Sequence, residues 1–118
     1  MNPAMDIPLQ ITWRGLGRST AIESAIEEAT RKLEHFDSHI VSCRVTVEQA
    51  DRHKRHGRQF AVRLDVRVPR REIAIDHEHH EDVYVALHNA FADARRKLSE
   101  RRKANLARKR ARRARGKD

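Results

Sequence analysis

The sequence predicts an α+β fold: a two-layer β-α-β-β-β-α sandwich, a four-stranded sheet with two helices on one face. Three observations predict it. Stretches of period-two alternation read as half-buried strands, and two segments with apolar residues at three- and four-residue spacing read as amphipathic helices. Both helix stripes then need an apolar partner, which one face of the sheet supplies.

The elements follow in order. Pro8 to Trp13 alternates, with Leu9, Ile11 and Trp13 on one side and Gln10 and Thr12 on the other. Arg14-Gly15-Leu16-Gly17-Arg18 breaks that strand. Thr20 and Glu23 match a T-x-x-E capping box, in which hydroxyl and carboxylate satisfy amides left open at a helix start. Behind it Ile22, Ala25, Ile26, Ala29 and Leu33 form the apolar stripe, ending near Glu34 to Phe36, while Arg31 and Lys32 lie on the charged remainder.

From Ile40 to Glu48 the period becomes two, with Val41, Cys43, Val45 and Val47 sharing a face. Phe60, Val62, Leu64, Val66 and Val68 repeat the pattern, and residues 49–59 between them read as a basic hairpin loop containing Lys54 and Arg55. Pro69-Arg70-Arg71 turns into a third strand of this meander, with Ile73 and Ile75 inward. Asp82 caps a second helix whose stripe is Val83, Leu87, Ala90, Phe91, Ala94 and Leu98. A right-handed crossover through the first helix sets the first strand parallel to the second if they are neighbours. Residues 1–103 read as one domain and 104–118 as a basic, disordered tail, which Ala and Arg as good helix formers could make helical in part, but with no face to bury.

Composition bounds the function. A chain of 118 residues, 38% hydrophobic and 36% charged, folds as one domain around a small core. One cysteine excludes an internal disulfide and a multi-cysteine zinc site, which fits a reducing, cytoplasmic location. No apolar run predicts a signal peptide or a membrane span. Charge is divided unevenly: residues 1–94 hold 13 Lys/Arg and 15 Asp/Glu, whereas residues 95–118 hold 13 and 2, a net of +11. A neutral body with one strongly basic end points to a polyanionic partner.

The segment DHEHHED at 76–82 raises a metal site as an alternative. A zincin needs H-E-x-x-H, and Glu81 stands where the second histidine should be. On a strand His77 and His79 would share a face, which makes two ligands, but a structural zinc site takes four. The segment reads instead as a polar strand end leading into a helix, with adventitious metal binding at most. Cys43 on a central strand behaves as a small hydrophobe, and no nucleophile elbow, phosphate loop or dinucleotide fingerprint exists. The sequence therefore predicts no enzyme, no cofactor and no small-molecule substrate.

The basic end carries the functional signal. Arg95, Arg96, Lys97, Arg101, Arg102 and Lys103 are placed on the exposed side of the second helix, and Arg108 to Arg115 continue the charge. A solvated helix face normally interleaves both signs. Phosphate neutralisation with counterion release is the matching chemistry. Few aromatics argue against base stacking on single strands, so recognition of structured RNA by shape is favoured. An interfacial membrane helix would need a bulky apolar face that this region lacks.

His80-Glu81-Asp82-Val83-Tyr84, followed by Ala86-Leu87 and a basic helix, resembles the H-E-D-M-Y-x-A-I segment of the ribosome hibernation-promoting factors. These are also called ribosome-associated inhibitors or sigma-54 modulation proteins. The likeness spans most of residues 7–103 and matches their short form. It implies a fold similar to double-stranded-RNA-binding domains and docking on the small ribosomal subunit and its rRNA, in the mRNA and tRNA channel, during starvation or stationary phase. Translation is then blocked by occupancy alone. The resemblance places Asp82 and Tyr84 in the family motif and Arg96 on the RNA-facing helix, within a candidate RNA-binding set of Arg31, Lys32, Lys54, Arg55, Arg95, Arg96, Lys97, Arg101, Arg102 and Lys103. Asp93 and Glu100 depart from it, standing where relatives often carry lysine. The expected protein is a monomer off the ribosome, without the dimerisation domain of the long forms. The alternative is a general structured-RNA- or DNA-binding module with no ribosomal role.

Overall fold

Alternating valines and isoleucines on three long strands generate one continuous apolar sheet surface. In the computed structural model, which describes residues 7–51 and 58–116, that surface is the floor of the core. The elements are β1 (Leu9–Arg14), α1 (Thr20–Phe36), β2 (Ser42–Asp51), β3 (Arg58–Val68), β4 (Arg71–His80) and α2 (Val83–Gly116). The sheet order is β1-β2-β3-β4, with β1 parallel to β2 and the other two pairs antiparallel. This is the predicted α+β sandwich, parallel first pair included. β2 and β3 extend into the expected hairpin loop, over residues 49–51 and 58–59, and the rest of it, with Lys54 and Arg55, lies outside the described residues.

Leu9, Ile11 and Trp13 stand opposite Cys43, Val45 and Val47, and those three pair onward with Val66, Leu64 and Val62. Val45, Val47, Leu64, Val66 and Ile75 are fully buried, and each such side chain contributes roughly 1.5–3 kcal/mol relative to exposure. α2 packs on β3 and β4, while α1 lies against β1 and alongside α2. Both helices follow strands of the same direction, β1 and β4, and so run parallel to each other.

Four local expectations change. The N-cap of α1 is Ser19, not Thr20: the Ser19 hydroxyl accepts from the Ile22 amide at 3.2 Å. Glu23 does not close a capping box; its carboxylate holds Arg18 through two 3.0 Å bonds. Serine caps somewhat better than threonine, and Ser19 has the extended backbone of an N-cap, φ −119° and ψ 121°. Val41 is half exposed because it precedes β2 rather than belonging to it.

β4 is longer than Ile73 and Ile75 indicate, and it contains a bulge. Leu64 pairs with Ile75 but Val62 pairs with Glu78, so β4 spends one extra residue opposite Arg63. An extra residue reverses the face on which every later side chain falls. Beyond the bulge Glu78 and His80 share the face of Val62 and Phe60, and His79 falls with Ala61 on the other.

The fourth change concerns the tail. α2 continues as helix through Gly116, where the sequence predicts a disordered tail from 104. Its residues explain the continuation: Ala, Arg, Leu and Lys are good helix formers, and no glycine or proline occurs between Val83 and Gly116.

Candidate nucleic-acid interface

A charged helix that also packs must divide its circumference, and α2 does so clearly. Val83, Ala86, Leu87, Ala90, Phe91, Ala94 and Leu98 are buried against the sheet. At about 100° per residue, Tyr84, His88, Arg95 and Arg102 fall on the edge towards α1. Asp82 starts the helix as predicted: its carboxylate accepts from the Tyr84 amide at 2.9 Å and its carbonyl from the Ala86 amide at 3.1 Å. His80 reinforces the turn, Nδ1 accepting from the Asp82 amide at 2.9 Å.

Between the helices runs an open groove of about 340 Å³. Ala25, Ala29, Leu33, Leu87 and Phe91 line its apolar part, and Glu28, Lys32, Tyr84, His88 and Arg95 its polar part. Lys32 is held by Glu28 at 3.6 Å, one turn earlier on α1. Tyr84 is 48% exposed, an aromatic ring available to a partner at the α2 end that the capping aspartate defines. The groove therefore offers cations, a ring and a shallow apolar strip to one ligand.

The other candidates are dispersed. Lys97 lies on the opposite edge of α2 and donates to the Ala74 carbonyl of β4 at 3.4 Å. Arg96 is exposed and pairs with Asp93 at 3.6 Å. Arg101 is half-buried, continuing the core stripe, and Lys103 is exposed. Arg102 is exposed yet engaged: it donates to the Phe36 carbonyl at 3.1 Å, with its guanidinium 5.3 Å from the Phe36 ring centroid. Arg31 is half-buried on α1. Lys32 and Arg95 are thus the members of the set that share one concavity. His88 is the groove residue that sequence reasoning misses; its one signal is its place one turn after Tyr84.

Chemistry elsewhere is quiet. Burial pushes the Cys43 thiol up to about 12, opposed by the neighbouring Thr30 hydroxyl. His79 pairs with Ala61 on the outer side of the sheet, and the His77 side chain lies outside what the structure describes. Among the described residues no three His, Cys, Asp or Glu side chains converge as a metal site. The open sheet face carries ion pairs instead, Arg44 with Glu72 at 3.2 Å and Arg63 with Asp65 at 3.2 Å and Asp76 at 3.8 Å. No described helix is long and apolar enough to cross a membrane.

Comparison with curated proteins finds no match. Solved structures share the fold. A ribosomal subunit interface protein from Coxiella burnetii superposes with a TM-score of 0.70 at 16% identity, covering 82% of this chain and 99% of the other. The N-terminal domain of Protein Y from Thermus thermophilus gives 0.66 at 20% identity, covering 81% and 98%. The family model described as sigma 54 modulation protein / S30EA ribosomal protein matches residues 9–105, which include both helices of the groove and the capped start of α2, and the chain belongs to that family of ribosome-associated, non-enzymatic hibernation factors.

Proposed function

We propose that this protein silences ribosomes by binding small-subunit rRNA in the channel used by mRNA and tRNA, in the cytoplasm, under starvation or in stationary phase. The observation that carries the reading is the basic α2 of a chain of this family, which starts at the Asp82 cap and ends in a +11 segment. rRNA presents a dense phosphate surface, and Lys32 and Arg95 on the groove rim, with Arg96 and Lys103 outside it, suit that surface without any chemical step. The name of one similar structure, a ribosomal subunit interface protein, supports a ribosomal partner.

Co-sedimentation with purified small subunits tests this, at low and high salt. Pelleting at low salt that fades as salt rises is the expected result; no pelleting at low salt removes the reading. Reversing Arg95, Arg96 and Lys97 to Glu should weaken pelleting by roughly tenfold or more while the thermal transition stays cooperative, as expected when phosphates go unneutralised. A general RNA- or DNA-binding module would bind naked duplexes as tightly as ribosomes, and competition between the two separates the readings.

A further inference from the structure

The last helical residues of α2 do something the domain does not need. Core packing of α2 ends at Leu98, and the bond from Arg102 to Phe36 is the last described hydrogen bond from α2 to the rest of the fold. From Leu106 to Gly116 every residue is exposed. At about 1.5 Å per residue, residues 103–116 reach roughly 20 Å beyond that anchor. The family match stops at residue 105, so most of this projection lies beyond the matched segment.

Two opposing forces act on the arm. Its residues favour helix, but no acidic residue occurs between Glu100 and Asp118. Arg108 with Arg112 and Lys109 with Arg113 are like charges one turn apart, and Lys109–Arg112, Arg110–Arg113 and Arg112–Arg115 add three-residue repulsions. Arg108 donates to Asn105, a bond within the arm. A helix with good propensity, unfavourable charge and no tertiary packing is one that a polyanion completes.

The charges are arranged for a two-walled ligand. At about 100° per residue, Arg108, Arg112 and Arg115 continue the line of Arg101, Lys109 and Arg113 that of Arg102, and Arg110 that of Lys103. The remaining side carries Ala104, Ala107, Ala111 and Ala114. Cations therefore point to three sides of the helix, as engagement of phosphates on two flanking strands requires.

We propose that residues 104–116 are a second RNA-binding element, an arginine-rich helical arm that engages the phosphate walls of a double-stranded RNA segment lying beyond the docked domain, and whose helix is consolidated by that engagement. The proposal rests on the RNA-binding reading above but adds a site outside the groove and, past residue 105, outside the family match. The arm works as a reach: once α2 is seated, it finds neighbouring duplex at high effective concentration.

The test uses the full-length chain and a short RNA duplex, read by fluorescence anisotropy and hydrogen exchange. Two variants divide charge from helix. One replaces Arg108, Lys109, Arg110, Arg112, Arg113 and Arg115 by Gln; the other, Ala107→Pro with Ala111→Pro, keeps every charge and breaks the helix. Each should bind the duplex roughly tenfold more weakly than wild type, and the Gln variant should flatten the salt dependence by about one unit of log-log slope for each phosphate it no longer neutralises. Amides of residues 104–116 should gain protection on duplex binding, and core amides such as those of Val45 and Leu64 should be unchanged in both variants. The proposal is overturned if the double-proline variant binds like wild type, if the arm is equally protected without RNA, or if phosphatidylserine vesicles bind the arm as tightly as the duplex. Wild-type binding to duplex but not to ribosomes removes the ribosomal reading and leaves the arm. Ribosome and duplex binding unaffected by either variant removes the arm and leaves that reading.

Discussion

The guanidinium of Arg102 rests over the ring of Phe36, 5.3 Å from its centroid, and donates to the Phe36 carbonyl at the end of α1. One side chain thus meets the negative end of a helix dipole and an aromatic face together. It ties the end of the first helix to the point where α2 leaves the domain.

Arg102→Ala should lower unfolding stability by roughly 0.8–2 kcal/mol, the sum expected for an exposed cation–π interaction and a helix-terminal charge. Arg102→Lys should recover only part, since an ammonium keeps the charge but not the planar stacking. Urea denaturation measures both. A wild-type midpoint for Arg102→Ala would show that the interaction contributes nothing to stability.

Asp82 holds the first turn of α2 through the Tyr84 amide. Asp82→Ala should cost about 1 kcal/mol, and Asp82→Asn much less, because the amide oxygen can still cap. If the two variants have the same midpoint, acceptance by the side chain is not what stabilises this helix start.

Gly15 has φ +73, and a methyl group there would overlap the Gln49 carbonyl oxygen of β2. Backbone cannot yield as a flexible side chain can. Gly15→Ala should therefore destabilise by about 2 kcal/mol or more. Gly17, with open space around it, is the control: Gly17→Ala should be neutral or stabilise by up to about 1 kcal/mol. Thermal melts of the pair decide, and similar losses in both would count against the close approach of Gly15 to β2.

Cys43 is buried, and burial raises its thiol from 9.0 to about 12. In the unfolded chain the thiol ionises near its ordinary value, so above that pH the unfolded state binds fewer protons than the folded one. The contribution to stability is full below about pH 9 and is lost as pH rises towards about 12. Wild type should lose stability relative to Cys43→Ala across that window, by chemical denaturation at each pH. Alkylation of the native protein should proceed only through unfolding; rapid modification near neutral pH would contradict the burial.

Much of the fold is legible one residue after another. Period-two alternation identifies Val45, Val47, Leu64 and Val66 as core, and three- and four-residue spacing does the same for Ile26, Leu33, Leu87 and Leu98, because side-chain direction repeats with the backbone. The Asp82 cap is legible for the same reason, its bond reaching only two residues along the chain. Reading fails where alternatives are locally equal or where a partner lies far off. Ser19 and Thr20 are both good caps, and the preference for serine is too small to decide between neighbours. The bulge that sends His79 to the outer face depends on how β4 aligns with β3. Arg102 looks like any other basic residue until Phe36, distant in sequence, arrives beneath it.

By itself, then, the sequence determined the order of elements, the core faces of the strands and helices, and the concentration of positive charge in the last residues, all of which are encoded by neighbours. Only the tertiary structure decided which cations stand together. Lys32 and Arg95 meet at one groove because α1 and α2 run parallel over the same sheet, and Lys97 turns to β4 because α2 lies along that edge. Charge is a property of composition, but a binding surface is a distance between residues that the chain brings together only by folding.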